Sequence, residues 1–193
     1  MEVEADDGVL SRLARYADEI IRWNRRINLT GAASPDDFVR GPLFDALSIL
    51  PVYKEGETFV DVGTGGGLPG IPVGIVDEGC RVTLVEPRSK RVAFLNHVCH
   101  LLGLDAEVLS RRFEDLGGRQ WGGAVAQAVW APGEWLPRGM TLVAPGGSVY
   151  ALSSQPLDPG LLPSGLRVEK EVETTRPFDG AKRFSSRLVR EDG

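Results

Sequence analysis

The run Phe59-Val60-Asp61-Val62-Gly63-Thr64-Gly65-Gly66-Gly67-Leu68-Pro69-Gly70-Ile71-Pro72-Val73 constrains this chain more than any other segment. A short apolar strand ends beside an acid and opens into a loop holding five glycines within eight residues. Gly63, Gly65 and Gly67 permit positive φ and present no Cβ to a ligand lying against the backbone, while Pro69 and Pro72 suit the first turn of a following helix. A turn that bound nothing would carry the entropic cost of these glycines with no compensating contact. The segment therefore predicts a strand, a ligand-cradling loop and a helix in an α/β fold.

The charge of the ligand follows from Asp61. Gly65-x-Gly67-x-x-Gly70 also has the glycine spacing of a dinucleotide fingerprint, and Glu86 lies close to the expected distance beyond it. A pyrophosphate wants amide donors at a helix N-terminus and no nearby carboxylate, whereas Asp61 places negative charge where the phosphates would lie. S-adenosylmethionine suits the loop better than a nicotinamide dinucleotide. Its ammonium and sulfonium groups are cationic, its carboxylate can use loop amides, and it carries no phosphate.

With 193 residues, 42% of them hydrophobic and 25% charged, the chain can bury the core of one domain. The expected division is a helical cap over residues 1–55 on a sheet-containing core over residues 56–193. The apolar residues near the N-terminus are interrupted by Arg12, Arg15, Asp18, Glu19, Arg22, Arg25 and Arg26, so neither a signal peptide nor a membrane span is expected. Cys80 and Cys99 have no metal-ligand spacing, and a monomer in the cytoplasm is expected. The net charge of −5 argues against non-specific wrapping of nucleic acid. Local clusters counter this: Arg25 and Arg26, then Arg88, Lys90 and Arg91, then Arg111 and Arg112, and finally Lys182 and Arg183.

Apolar residues at helical spacing predict a helix over 9–27, and Ser34-Pro35-Asp36-Asp37 caps a second that Gly41-Pro42 should break or kink before 43–50. Strands are predicted over 58–62, 81–85, 106–109, 124–129 and 148–152, alternating with helices over 69–76, 89–102 and 132–143, the last open to interruption at Pro137. Gly103 should end the middle helix. Residues 166–174 and 183–189 read as an antiparallel hairpin at the sheet edge. The predicted fold is a Rossmann-like, doubly wound, mostly parallel sheet, whose ligands lie at the carboxyl ends of its strands.

Glu86 falls at such an end, where a carboxylate can accept both ribose hydroxyls of an adenosine. Ser110-Arg111-Arg112-Phe113-Glu114-Asp115 follows the third strand and could contact an adenine edge. No Ser-His-Asp or Cys-His set is present in pattern, and His97 and His100 lack a third ligand at metal spacing, so no metal is expected. Methyl transfer tolerates this, because a sulfonium is already an activated leaving group and in-line attack needs positioning more than a general base.

Three stretches together resemble the RsmG (GidB) family, bacterial enzymes that methylate guanine N7 in 16S ribosomal RNA with S-adenosylmethionine. They are Trp23-Asn24-Arg25-Arg26-Ile27-Asn28-Leu29-Thr30, the loop from Asp61 to Pro72, and Glu86-Pro87-Arg88-Ser89-Lys90-Arg91-Val92-Ala93-Phe94-Leu95. The resemblance spans residues 9–152 and implies a class I methyltransferase fold. It implies cofactor contacts from Gly63, Leu68, Phe113 and Glu114, beside those expected of Asp61, Gly65, Gly67 and Glu86, and it places Asn28 near the active-site mouth. 16S ribosomal RNA or the small ribosomal subunit is the implied partner, with the basic clusters at Arg25, Arg26, Arg88, Lys90, Arg91, Lys182 and Arg183 as candidate RNA contacts.

The chain departs from the family pattern at three places. Where members usually carry Ser-Arg-Ala after the fourth strand, it reads Ala126-Gln127-Ala128, so Gln127 takes the place of an arginine beside cofactor and target base. Gly41 and Pro42 stand where a basic residue and a histidine are common, and Ser153 where a lysine is. A homologue that holds S-adenosylmethionine and RNA with weak or no transfer, and a methyltransferase on another substrate, are the alternatives.

Overall fold

The computed structural model describes residues 6–191. Its strands are β1 (Phe59–Val62), β2 (Val82–Val85), β3 (Ala106–Leu109), β4 (Trp121–Val125), β5 (Val143–Ser153), β6 (Leu166–Thr175) and β7 (Lys182–Arg190). They form one sheet in the order β3-β2-β1-β4-β5-β7-β6. The first five run parallel to one another, and β7 runs antiparallel between β5 and β6. Strand order reverses between β1 and β4, which is where a doubly wound sheet opens a ligand crevice.

The helices are α1 (Asp7–Asn24), α2 (Pro35–Phe38), α3 (Phe44–Leu47), α4 (Gly70–Val76), α5 (Ser89–Leu102) and α6 (Pro132–Thr141). Asp6 caps α1 by accepting from the amide of Val9 at 2.7 Å, and Ser34 caps α2 by accepting from that of Asp37 at 3.1 Å. Gly103 ends α5 in the left-handed conformation. Alternation along β1 divides the core between the two sheet faces: Phe59 packs with Tyr16, Ile20, Ile71 and Phe94, while Val60 and Val62 pack with Trp135, Leu136 and Val149. The N-terminal helices thus share one core with α4 and α5 on the Phe59 face.

Several elements depart from the sequence expectation for identifiable reasons. Gly41-Pro42 does not break the second helix; Val39–Leu43 forms a π-helical turn that joins α2 to α3, the wider turn accommodating a proline without an N–H. Pro137 lies inside α6, which persists because Trp135 and Leu136 are buried on the sheet and the Trp135 indole donates to the Tyr150 carbonyl at 2.8 Å. The fourth strand runs over Trp121–Val125 rather than 124–129. Gly122 and Gly123 look like breakers, yet a Cβ at Gly123 would lie 2.5 Å from a Glu57 carboxylate oxygen and 3.0 Å from the Tyr150 ring. β5 starts early at Val143, and its residues 144–147 bulge between the Trp121 and Gly123 registers.

Candidate active site

At the carboxyl ends of β1, β2 and β4 lies a cleft of about 970 Å³. The glycine loop forms its floor. Gly67 N donates to Thr64 O at 2.8 Å and Tyr16 on α1 donates its hydroxyl to Gly66 O at 2.7 Å, so the N-terminal helix braces the loop from behind. Gly65 and Gly66 line the cleft, and their amides have no backbone acceptor among the described residues. They are the donors a ligand carboxylate can use. Gly67 lies outside the lining, with φ of 100° and Ile71 directly beneath it.

Asp61, expected to meet a cationic cofactor, lies beneath the loop rather than in the cleft. It shares the face of Phe59, is 0% exposed, and accepts at Oδ2 from the Thr64 hydroxyl at 2.6 Å and the Gly70 amide at 2.9 Å. Oδ1 is buried with no hydrogen-bond partner among the described residues. Burial raises its pKa to about 7 against the lowering effect of Thr64 and Gly70, with Glu86 raising it further. A carboxyl that holds its proton more tightly folded than unfolded loses stability for the protein as pH rises from the unfolded value towards about 7. In the ligand-free protein, Asp61→Asn is expected to flatten the fall in thermal stability between pH 4 and pH 7. Equal pH slopes in melting curves of the two proteins would assign the slope to other groups.

Glu86 ends β2 and is 3% exposed. Its Oε1 accepts from the Arg88 amide at 2.9 Å, and Oε2 lies 3.6 Å from Arg91 Nη1 within the cleft wall. Arg91 also donates from Nε and Nη2 to the Asn28 carbonyl, at 3.2 and 2.7 Å, so one guanidinium ties the N-terminal segment to the Glu86 carboxylate. Asn28 is exposed beside Leu29 and Thr30, which line the cleft. The residue that shapes this mouth is Asn24, whose Oδ1 accepts from the amides of Leu29 and Thr30 and whose Nδ2 donates to Thr30 O. It turns the chain at the end of α1, three residues earlier than periodicity suggests. The paired asparagines of the Trp23–Thr30 motif were its only sequence signal.

The opposite wall comes from the loops after β3 and β4. Phe113 and Glu114 line it, Phe113 meets Trp130 edge-on at 5.7 Å, and Trp130 stacks on Trp135 at 5.9 Å. Gln127, Ala128 and Val129 line the same side; Ala128 has φ of 57°, and a Cβ on Gly63 would lie 2.7 Å from Val129 Cγ2. The loop floor and this wall therefore meet at a position only glycine fits. Gln127 Oε1 is buried with no hydrogen-bond partner among the described residues.

The expected RNA contacts divide. Arg25, Arg26, Arg88 and Lys90 are exposed and have no carboxylate partner among the described residues, and Arg88 lines the cleft with Arg111 and Arg112. Lys182 pairs with Glu173 at 2.8 Å, Arg91 is held as above, and Arg183 grips Asp45 at 2.8 and 2.9 Å. Arg176, between β6 and β7, lines the cleft and was not foreseen from sequence. His97 lies 3.0 Å from the Glu19 carboxylate.

Sheet order, glycine floor and the Glu86 carboxylate at the second strand end together define a Rossmann-like class I methyltransferase. A solved methyltransferase from Aquifex aeolicus, described as S-adenosylmethionine-dependent, has this fold with a TM-score of 0.55 and 21% identity, over 78% of this chain and 92% of that one. The family model for rRNA small subunit methyltransferase G (GidB) matches residues 9–159. The Ribosomal RNA small subunit methyltransferase G of Anaeromyxobacter sp. (strain Fw109-5) is 35% identical over 77% of this chain and 71% of its own length. That of Escherichia coli O1:K1 / APEC is 33% identical over 93% and 89%. The chain belongs to the rRNA small subunit methyltransferase G family.

Proposed function

We infer that this chain, acting as one domain, transfers a methyl group from S-adenosylmethionine to guanine N7 in 16S ribosomal RNA. The observation that carries the reading is the combination, in one cleft, of unpaired loop amides at Gly65 and Gly66 with the Glu86 carboxylate. When bound there, S-adenosylmethionine supplies an activated methyl group. The Gly65 and Gly66 amides suit its carboxylate, Glu86 its ribose hydroxyls, and Phe113 with Glu114 its adenine. Asp61 acts from below by holding Thr64 and Gly70, and so fixes the floor against which the cofactor lies.

Guanine N7 is nucleophilic without losing a proton, so the cleft needs no general base; positioning and exclusion of water carry the catalysis. Arg88, Arg111 and Arg112 at the rim suit phosphates of an RNA entering the cleft, while no helix among the described residues is long and apolar enough to cross a membrane. Mapping N7-methylguanine in small-subunit RNA from cells with and without this protein tests the reading. An unchanged modification pattern would overturn it.

Gln127 bears on rate. It offers a neutral carboxamide where the family resemblance implies an arginine, so Gln127→Arg is expected to raise turnover several-fold with the cofactor affinity unchanged. Single-turnover methylation of small subunits isolated from the deletion strain measures this. No gain would mean that another group already supplies that interaction.

A further inference from the structure

We propose that Arg176, at the tip of the β6–β7 hairpin, is an RNA-binding residue that hydrogen-bonds a backbone phosphate beside the nucleotide entering the cleft. The inference rests on the RNA-methylating reading above. Its basis is the way one edge of the guanidinium is held while another faces the cleft. Nε and Nη2 pair with the Asp179 carboxylate at 3.1 and 2.7 Å, and the hairpin tip is closed by Arg176 N to Ala181 O at 2.9 Å and Gly180 N to Arg176 O at 3.0 Å. Nη1 makes no hydrogen bond among the described residues; it stands 3.6 Å from Asp45 Oδ1, in a carboxylate whose Oδ2 accepts from Arg183 at 2.9 Å.

The side chain is 16% exposed and lies over Gly41, whose absent Cβ would stand 3.7 Å from Nη1. Any larger residue at position 41 would extend from that point and cover the donor. Arg176 is thus a guanidinium fixed in direction, partly desolvated and open towards the cleft, the state in which a charge-assisted hydrogen bond to phosphate is strongest. Two arginines and two aspartates make the local charge sum to zero. Recognition here works through a directed donor rather than a field, unlike the exposed cations at Arg88, Arg111 and Arg112. Because the hairpin follows the whole parallel sheet in sequence, this contact would make the C-terminal segment part of substrate recognition.

The test uses small ribosomal subunits from a strain lacking the protein, with the full chain and its Arg176→Gln, Arg176→Lys and Asp179→Asn variants. Wild-type methylation establishes the underlying reading independently; without it the functional assignment fails, whatever Arg176 does. Given it, Arg176→Gln is expected to raise KM about 5- to 20-fold with kcat nearly unchanged, and to reduce the slope of log kcat/KM against log salt by about 0.7 to 0.9, the value for one phosphate contact. S-adenosylmethionine affinity by calorimetry should not move. Arg176→Lys retains the charge and should retain the slope. Asp179→Asn breaks the same ion pair but leaves the guanidinium, so it should also keep the wild-type slope. If Arg176 is only a staple for the hairpin, Asp179→Asn will reproduce the Arg176→Gln defect, or no variant will change the slope; either result overturns the proposal. Should Arg176→Gln fail to fold, a reduced slope in folded Arg176→Lys would overturn it as well.

Discussion

Glu86→Gln is expected to weaken S-adenosylmethionine binding by about 10- to 100-fold while leaving the protein folded. The carboxylate is fixed before any ligand arrives, since Oε1 accepts from the Arg88 amide and Arg91 stands beside Oε2. A glutamine side chain can keep the Arg88 bond through its carbonyl oxygen, so the turn after β2 survives. What it loses is negative charge and one acceptor towards two ribose hydroxyls. Hydrogen bonds to charged groups contribute about 1.5–3 kcal/mol each, and weakening them at a buried carboxylate by 1.4 kcal/mol or twice that gives the stated range. Calorimetric titration of both proteins with S-adenosylmethionine decides it, with NAD as the competing ligand. Unchanged affinity in a folded variant would reduce Glu86 to a cap for the Arg88 turn.

Gly67→Ala is expected to lower both stability and cofactor affinity, and to do so far more than Gly56→Ala. Both glycines have positive φ, at 100° and 73°, but around Gly56 a Cβ would meet nothing within 4 Å, whereas at Gly67 it would lie 2.2 Å from Ile71 Cδ1, 2.8 Å from Ile71 Cγ1 and 3.3 Å from Leu95 Cδ2. Ile71 is 1% exposed on α4, so its packed neighbours oppose the rotation that would make room. Backbone strain and overpacking together cost about 2–4 kcal/mol, against about 1 kcal/mol for strain alone, which for a chain of this size separates the melting temperatures by roughly 2–12 °C. The loop that relaxes is the one carrying the Gly65 and Gly66 amides, so cofactor affinity should fall with it. Equal melting temperatures for the two variants would show that α4 yields readily.

The fold was largely legible because its signals are local. Strand-loop-helix alternation from Phe59 onward, the Ser34 cap, the Gly103 stop and the C-terminal hairpin each arise from a few adjacent residues, and each is present in the structure. The misplaced fourth strand shows the limit of that reading. Gly122 and Gly123 look like loop residues until Glu57 and Tyr150, far away in sequence, fill the space their side chains would need. Pro137 and Pro42 were similarly judged by local cost, while burial of Trp135 and a π-helical turn held the helices together.

At the site, Glu86 was expected from its strand-end position and Gly63, Leu68, Phe113, Glu114 and Gln127 from the family resemblance; all line one cleft, because strand ends of a parallel sheet converge whatever their separation in the chain. Asp61 was legible as important and misread as to direction: Val60 and Val62 pack on one face, which forces Asp61 onto the other, beneath α4.

From sequence alone came the class of fold, the glycine floor and the family, all properties of contiguous residues with fixed spacing. Only the tertiary structure decided which side chains face the cleft and which cations are free. Asn24 folds the mouth, Asp45 and Glu173 occupy Arg183 and Lys182, and Arg176 arrives from the last hairpin over a bare glycine. Direction and pairing depend on what lies across the sheet or across the cleft, and such a neighbour can be far away along the chain, as with Arg183 and Asp45 at a separation of 138.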